Sequence, residues 1–339
     1  MTREQIQQLV DHGLFPGPTA PAEWVETHIS WVVLTPAFAF KIKKPVQFPF
    51  LDFSTIEKRK FYCQEELRLN RRLAPDMYLD VLPVYLTEDG VPAISQNIHE
   101  GMPLDYAVWM KRMDNSRQMD LMLGQNAVSA TDMTDMARLL ARFHRTAVMP
   151  RSTVPYKAGD NRADFEDLFR LENVCVQMMG APAITKLEGW REKVAAFLDR
   201  HEKRLHERAV NGFWVDGHGD LHARNIFLLP DGPVVFDCIE FNPHFRQLDI
   251  LNELAFLCMD LEAGGHHELA ETFMEKYGQL WRCIECPEDE QLFLYFKAYR
   301  ANVRLKVALQ ELEQHRKAEV EATALRYWEL LGRYLEQLV

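Results

Sequence analysis

The spacing of apolar residues changes period along this chain and divides it into a strand-rich first third and a mainly helical remainder. Thr2-Arg3-Glu4-Gln5 reads as a capping box that opens a short amphipathic helix ending near Gly13, with Pro16, Pro18 and Pro21 forming a loop after it. His28 to Leu34 and Phe38 to Lys43 read as two strands joined at Thr35-Pro36. In the second, Phe38, Phe40 and Ile42 alternate with Ala39, Lys41 and Lys43, so both lysines share one face. Val81 to Leu86 and Tyr106 to Met110 predict two further strands.

Helical spacing takes over between and after these strands. Ile56 to Leu73 predicts a helix, and its stretch from Lys58 to Arg72 carries six cations against two acids, Glu65 and Glu66, as a solvated face would. Leu69 and Leu73 at i+3 and i+7 set Glu66 beside the inward stripe, while Glu65 points further round. The polar segment 115–130 reads as partly loop. Met136, Leu139, Leu140, Phe143 and Ala147 define the face of a further helix, with His144 at its core edge. Arg191 to Arg208 predicts a charged helix stopped at Asn211-Gly212, and Leu251 to Met259 a strongly apolar one that Asp249 can cap. Phe293 to Leu309 reads as a mostly apolar helix with Lys297, Arg300 and Arg304 on one face.

Chemistry concentrates between Val215 and Glu240. Asp220 and Asn225 stand five positions apart in His-Gly-Asp-Leu-His-x-x-Asn. The apolar runs Ile226–Leu229 and Val234–Phe236 follow, joined by the turn signal Pro230-Asp231-Gly232, and read as a β-hairpin with Asp237 at its end. A loop acid, an amide, a hairpin and a second acid together make a candidate site. Taken singly, each would read as a turn cap.

Composition narrows the classes open to the chain. With 339 residues, 47% of them hydrophobic, it can bury a large core and more than one domain is expected. A net charge of −11 argues against nucleic acid as a main partner. No apolar run reaches membrane-spanning length and the first residues lack a signal-peptide core, so a cytoplasmic location is expected, and no pattern points to an obligate protein partner. Six scattered cysteines suit reduced thiols. Cys283-x-x-Cys286 has no second pair to complete a zinc site, and His266-His267 has no third ligand nearby. The 14 methionines are dispersed as core filler.

Asp-x-x-x-x-Asn followed by Asp237 resembles the catalytic and metal-binding segment of kinases. The form His-Gly-Asp-Leu-His-x-x-Asn is similar to the aminoglycoside phosphotransferase-like kinases, a superfamily that includes choline, fructosamine and homoserine kinases. Asp237 to Asn242, then Arg246, Asp249 and Ala255-Phe256-Leu257, resemble an uncharacterised bacterial branch of it. Longer members of that branch continue into a P-loop kinase domain, which this chain is expected to lack. The resemblance implies an α+β, two-lobed protein-kinase-like fold: residues 1–19 as an N-terminal helix and loop, 20–112 as a small β-rich lobe, and 113–339 as a mainly helical lobe.

The same resemblance implies site roles. Asp220 orients the acceptor hydroxyl and takes its proton. Asn225 and Asp237 hold Mg²⁺, and Glu240 either reaches a second metal ion or only lines the site. Lys41 reaches the nucleotide phosphates, with Lys43 the alternative, and Glu66 pairs with that lysine. The hinge that bonds an adenine falls around Met110 and Arg112, and His218, His222 and Asp249 support the catalytic loop. Apart from the resemblance, cations on a mostly apolar helix need partners, so Arg300 and Arg304 either pair internally with Asp249, Asp260 or Glu262, or bind an anionic group of the acceptor. The function implied is Mg²⁺-dependent transfer of the γ-phosphoryl group of ATP or GTP to a small-molecule hydroxyl. A module that binds nucleotide without turnover is the competing reading, since no glycine-rich loop precedes Phe38. A kinase with a macromolecular acceptor is a third.

Overall fold

Strand β3 (Phe38–Lys43) runs through the middle of the first unit, and its alternation organises two cores. The structure, a computed structural model, describes residues 1–18, 21–95, 102–157, 159–314 and 317–339; part of the loop expected over Pro16 to Pro21 therefore lies outside the described residues. Chain order in this unit begins with α1 (Arg3–His12), β1 (Glu23–Glu26), β2 (Ser30–Leu34) and β3. The short β4 (Gln47–Phe48) and β5 (Leu51–Asp52), α2 (Ile56–Asn70), β6 (Tyr78–Leu86), β7 (Pro92–Ile94) and β8 (Asp105–Lys111) follow. Six of the strands pair, antiparallel at every step, in the order β1-β2-β3-β8-β6-β7.

Each face of the sheet is covered by a different helix. Phe40 and Ile42 pack with Ile6 and Leu9 of α1, whereas Ala39 packs with Cys63 of α2 and with Tyr78 and Val108. Lys41 stands opposite Val32 and Val108 in the register, so it shares Ala39's face, the face towards α2. The turn into β3 has no glycine; the Thr35 hydroxyl accepts from the Phe38 amide at 3.2 Å and closes it. Thr2 and Gln5 form the expected reciprocal cap of α1. Helix α2 stops at Asn70 rather than Leu73, where the Asn70 side-chain Nδ2 donates back to the Glu66 carbonyl at 2.9 Å and Pro75 follows. This compact unit comprises Met1–Leu121 together with Asn225–Leu229 and Val234–Phe245, so it keeps the N-terminal helix and extends past residue 112.

The second unit comprises Met122–Arg224, Pro230–Pro233 and Arg246–Val339. In this part of the chain α3 (Met119–Gly124), α4 (Ala130–Ala147), α5 (Asp160–Glu166), α6 (Glu172–Met179) and α7 (Pro182–Val210) come first. Then come β9 (Trp214–Asp216), the hairpin β10 (Ile226–Leu229) and β11 (Gly232–Val235), and β12 (Gln247–Asp249). Helices α8 (Ile250–Ala263), α9 (His267–Leu280), α10 (Pro287–Gln314) and α11 (Ala318–Gln337) complete it. Every residue from Ile250 to Met259 is buried, so α8 is the axis of this unit, packed by α9 and α10. Helix α7 begins at Pro182, nine residues before the charged stretch that announced it, because proline is well accommodated in a first turn. His144 is fully buried rather than at a core edge, with Nδ1 2.9 Å from the Tyr277 hydroxyl. Among the described residues no helix is long and apolar enough to cross a membrane.

Candidate active site

In the first unit, two lysines and three acids form one ionic cluster. Lys41 Nζ lies 2.9 Å from Glu66 Oε1 and 2.6 Å from Asp237 Oδ1. Lys43, one pleat along on the same face, reaches the other Glu66 oxygen at 2.6 Å and also bonds Glu240. The two lysines differ in access: Lys43 is sealed from solvent, whereas Lys41 keeps 13% of its side chain exposed and leads to Asp237, which is 44% exposed. Burial alone would disfavour both ammonium groups, but Asp237, Glu66 and Glu240 around Lys41, and Glu240 and Glu66 around Lys43, outweigh it and hold both pKa values above their ordinary range. Burial likewise pushes against Glu66 as an anion, and the two lysines overcome it, so its pKa is low. Burial wins at Glu240, helped by the Glu66 charge, and its pKa is raised.

The segment carrying Asp237 is pinned by α2 and β6. The Asp237 amide donates to the Tyr78 hydroxyl at 3.2 Å, and the Cys238 amide to Asn70 Oδ1 at 2.9 Å. Asp237 has φ of 64°, a left-handed conformation that aspartate tolerates better than most side chains and that often marks functional positions. Asn225 is held by its carbonyl, which accepts from the Phe236 amide at 3.0 Å, and Phe227 stacks on Phe236 with ring centroids 4.9 Å apart. Asp237 supplies a carboxylate and Asn225 an amide oxygen, hard donors of the kind Mg²⁺ prefers. Glu240 has its side chain only 4% exposed and is engaged by Lys43. Met110 is buried in β8. Arg112 bonds the Thr35 carbonyl at 3.1 Å and Glu23 at 2.7 Å, so its side chain braces the β2–β3 turn.

In the second unit, the loop carrying Asp220 is clamped by its backbone. The two carboxylate oxygens of Glu253, in the middle of α8, accept the His218 amide at 2.5 Å and the Gly219 amide at 2.9 Å. A Cβ at Gly217 would sit 2.8 Å from Glu253 Oε1, so a larger residue there would have to displace the carboxylate that holds the loop. Gly219 has φ of 85°, which glycine alone adopts freely. Arg300 donates to the Gly219 carbonyl at 3.0 Å and to Asn252 Oδ1 at 2.7 Å, while Asp260 accepts the Ala223 amide at 2.9 Å. The Asp220 amide lies 3.2 Å from His218 Nδ1. His222 Nε2 lies 3.4 Å from Asp220 Oδ2.

These neighbours set the charge of Asp220. Burial would raise its pKa, but His222, His218 and Arg304 outweigh that and hold it well below the usual carboxylate range. Asp249 caps α8 by accepting the Leu251 amide at 2.8 Å, and Arg208 grips it with two bonds of 2.8 Å. The sequence reading missed Glu253 and named Asp260 only as a possible partner of Arg300 or Arg304, whereas both hold the loop. Their signal was a charged residue inside an otherwise apolar helix, a position that requires a partner.

A β-rich unit with a lysine–glutamate pair, followed by a helical unit with a clamped Asp-x-x-x-x-Asn loop, is the arrangement of the protein-kinase-like fold. The chain belongs to the phosphotransferase enzyme family, whose model matches residues 63–286. Similar chains include uncharacterized proteins of Mycobacterium bovis and Mycobacterium tuberculosis, 31% identical over 315 residues, which cover 92% of this chain and 59% of each relative. This chain thus spans about three fifths of the length of those curated relatives. Among solved structures, a spectinomycin phosphotransferase in its AMP-bound complex aligns with TM-score 0.55 and 14% identity over 98% of both chains. A choline/ethanolamine kinase family protein from Mesorhizobium loti gives 0.52 and 14% over 99% of this chain and 98% of that one. The GDP and kanamycin complex of APH(2")-IIia gives 0.52 and 13% over 98% of both chains. At these identities the likeness is one of fold.

Proposed function

We propose that the protein transfers the γ-phosphoryl group of ATP or GTP to a hydroxyl on a small molecule, with Mg²⁺ as the required metal ion. The observation that carries this reading is Lys41, held between Glu66 and Asp237 at 2.9 and 2.6 Å and keeping a path to solvent. In that reading Lys41 binds the nucleotide phosphates, and Asp237 and Asn225 hold the metal ion. Bound there, Mg²⁺ would supply charge neutralisation for the phosphate oxygens. Asp220 orients the acceptor. The acceptor oxygen forms its bond to the γ-phosphorus as the bond to the bridging oxygen breaks, the nucleoside diphosphate leaves, and the hydroxyl proton passes to the Asp220 carboxylate.

The low pKa of Asp220 shapes its part in this step. A carboxylate so well stabilised is a weak base, so its main contribution is to aim the hydroxyl and to receive the proton late, which suits a loose, dissociative transition state. The likeness to a spectinomycin phosphotransferase, to APH(2")-IIia in complex with GDP and kanamycin, and to a choline/ethanolamine kinase family protein supports a small-molecule acceptor here as well.

Thermal shift with ATP and GTP, each with and without Mg²⁺, followed by mass-spectrometric detection of phosphorylated products from a panel of hydroxylated metabolites and antibiotics, tests the reading. A nucleotide at a hundred times its Kd stabilises the folded chain by about 2.7 kcal/mol. Mg²⁺-dependent stabilisation together with a phosphorylated product is expected. Stabilisation without product across the panel would favour a nucleotide-binding module, and no stabilisation by either nucleotide would overturn the proposal.

A further inference from the structure

The three cations on one face of α10 have three different fates. Lys297 is paired with Glu262 at 2.9 Å, and Arg300 is buried and spent on the Gly219 carbonyl and Asn252. Arg304, one turn beyond Arg300, is only partly buried. Its Nε donates a long bond of 3.3 Å to the Tyr327 hydroxyl, and its guanidinium lies over that ring at 5.6 Å. Among the described residues, its two terminal amino groups make no hydrogen bond and no ion pair. A guanidinium carries five N–H donors in a planar fork suited to carboxylate or phosphate oxygens.

The position of this arginine is fixed from two sides. Arg300, four residues earlier, touches the residue immediately before Asp220. The Tyr327 hydroxyl donates to Asp260 Oδ1 at 3.3 Å, and Asp260 Oδ2 accepts from the Ala223 amide at 2.9 Å. Arg304 therefore stands beside the loop that carries Asp220, and its charge helps hold Asp220 ionised. Such a cation next to a catalytic carboxylate would ordinarily be quenched by a direct ion pair. Here Asp260, the acid reached through Tyr327, is already occupied by an amide and a phenol.

We infer that Arg304 is the anion-binding residue of the acceptor site, so that the acceptor carries an oxyanion, carboxylate or phosphate ester, in addition to the hydroxyl. This rests on the phosphotransferase reading for the identity of the ligand as an acceptor, though not for the existence of the anion site. It gives a specificity by charge: neutral or cationic hydroxyl compounds would leave Arg304 without a counter-ion, whereas an anionic one would gain a charge-assisted bidentate contact.

The test measures inorganic phosphate and malonate binding by calorimetry at low salt, without nucleotide, in the wild type, Arg304→Gln, Arg304→Lys and Lys41→Met. The expected result is binding by the wild type and by Lys41→Met, weaker binding by Arg304→Lys, and at least a tenfold loss in Arg304→Gln, the worth of one charge-assisted hydrogen bond. Equal binding by Arg304→Gln and the wild type overturns the inference, as does loss in Lys41→Met with retention in Arg304→Gln, which would put the anion at the nucleotide site. An Arg304→Gln chain that melts earlier yet binds both anions as well as the wild type marks a purely structural arginine and also overturns it. Should Arg304→Gln not fold, loss of bidentate malonate binding in Arg304→Lys with phosphate retained is the supporting outcome, and unchanged binding of both the opposing one. In turnover, sugar acids and sugar phosphates should outperform the matching neutral sugars, with KM rather than kcat carrying the effect of Arg304→Gln. A wild type that binds the anions but neither nucleotide would defeat the phosphotransferase proposal and leave the anion site standing.

Discussion

Lys43 and Glu240, 197 residues apart in the chain, form a buried ion pair in the first unit, with side chains 0% and 4% exposed. Because Lys43 also bonds Glu66, it ties the segment after Asp237 to helix α2 through strand β3. The Phe53 ring, 4.8 Å from Lys43 Nζ, closes the side left open. This arrangement makes Glu240 a strut for the Asp237 segment, while Asp237 itself remains open to solvent.

Removing one member of a buried pair costs up to about 3–5 kcal/mol where the other charge is left uncompensated, and less here because Lys43 keeps Glu66 at 2.6 Å; removing both costs less than the two single losses together. Glu240→Gln and Lys43→Met should therefore each lower stability in urea unfolding. The double variant should be no worse than the poorer single one, a coupling a double-mutant cycle reads directly. Additive losses would mean the two residues act independently and would defeat the strut.

Much of this first unit was legible in the sequence, and the reason is local. The period-two alternation of β3 survives because each face meets its own helix, so Phe40 and Ile42 could be told from Ala39 and Lys41 by pattern alone. Strand β1 escaped notice because its sequence, Glu-Trp-Val-Glu, is largely exposed at a sheet edge and shows no buried stripe. Glu66 could be read as the partner of a β3 lysine, but Glu240 as a second partner of Lys43, and the partners of Glu253, were not legible for a different reason. A charge in an apolar run announces that it needs a partner, but these partners lie 34 to 197 residues away, and only the fold brings them close. The same holds for Arg300, whose sequence permitted either an acid or an acceptor; it bonds a backbone carbonyl instead.

The two lysines of β3 should separate in function. Lys41→Met should weaken nucleotide binding about tenfold or more, since a charge-assisted hydrogen bond is worth about 1.5–3 kcal/mol, while stability changes less. Lys43→Met should show the reverse, a large loss of stability with a smaller change in nucleotide affinity per folded molecule. Calorimetric titration of Mg²⁺-nucleotide beside urea unfolding checks both. The opposite ranking would exchange the roles given to the two lysines.

Asp220→Asn should fold like the wild type, because the loop is held by its backbone and the side chain is 36% exposed. Turnover should fall by about a hundredfold or more, the size of a lost general base, with nucleotide affinity nearly unchanged. Because His222, His218 and Arg304 keep the Asp220 pKa below the usual range, its protonation should not limit kcat at any pH above about 4, the ordinary aspartate value. A kcat profile falling with an apparent pKa near 6 that Asp220→Asn abolishes would contradict the assignment.

Glu253 supplies the last prediction, which concerns acid stability. Burial alone would raise its pKa, but His144, whose Nε2 lies 3.6 Å from Oε1, together with His218 and its backbone amide, brings it down to about 2 from an ordinary 4.5. A carboxylate whose folded pKa is depressed contributes its full stability above the unfolded value and loses it as pH falls through the folded one. The window here therefore runs from about 4.5 down to about 2. A difference of about 2.5 units corresponds to roughly 3 kcal/mol at neutral pH, of which about 2 kcal/mol should be gone by pH 3. Glu253→Gln removes the titration and also presents amide hydrogens to backbone donors, since one of its two positions must face the His218 or Gly219 amide. The variant should be markedly less stable than the wild type at pH 7, and the gap should narrow as pH is lowered to 3. Urea unfolding at several pH values measures that gap. A difference that stays constant from pH 7 to pH 3 would show that Glu253 does not hold the Asp220 loop as an anion.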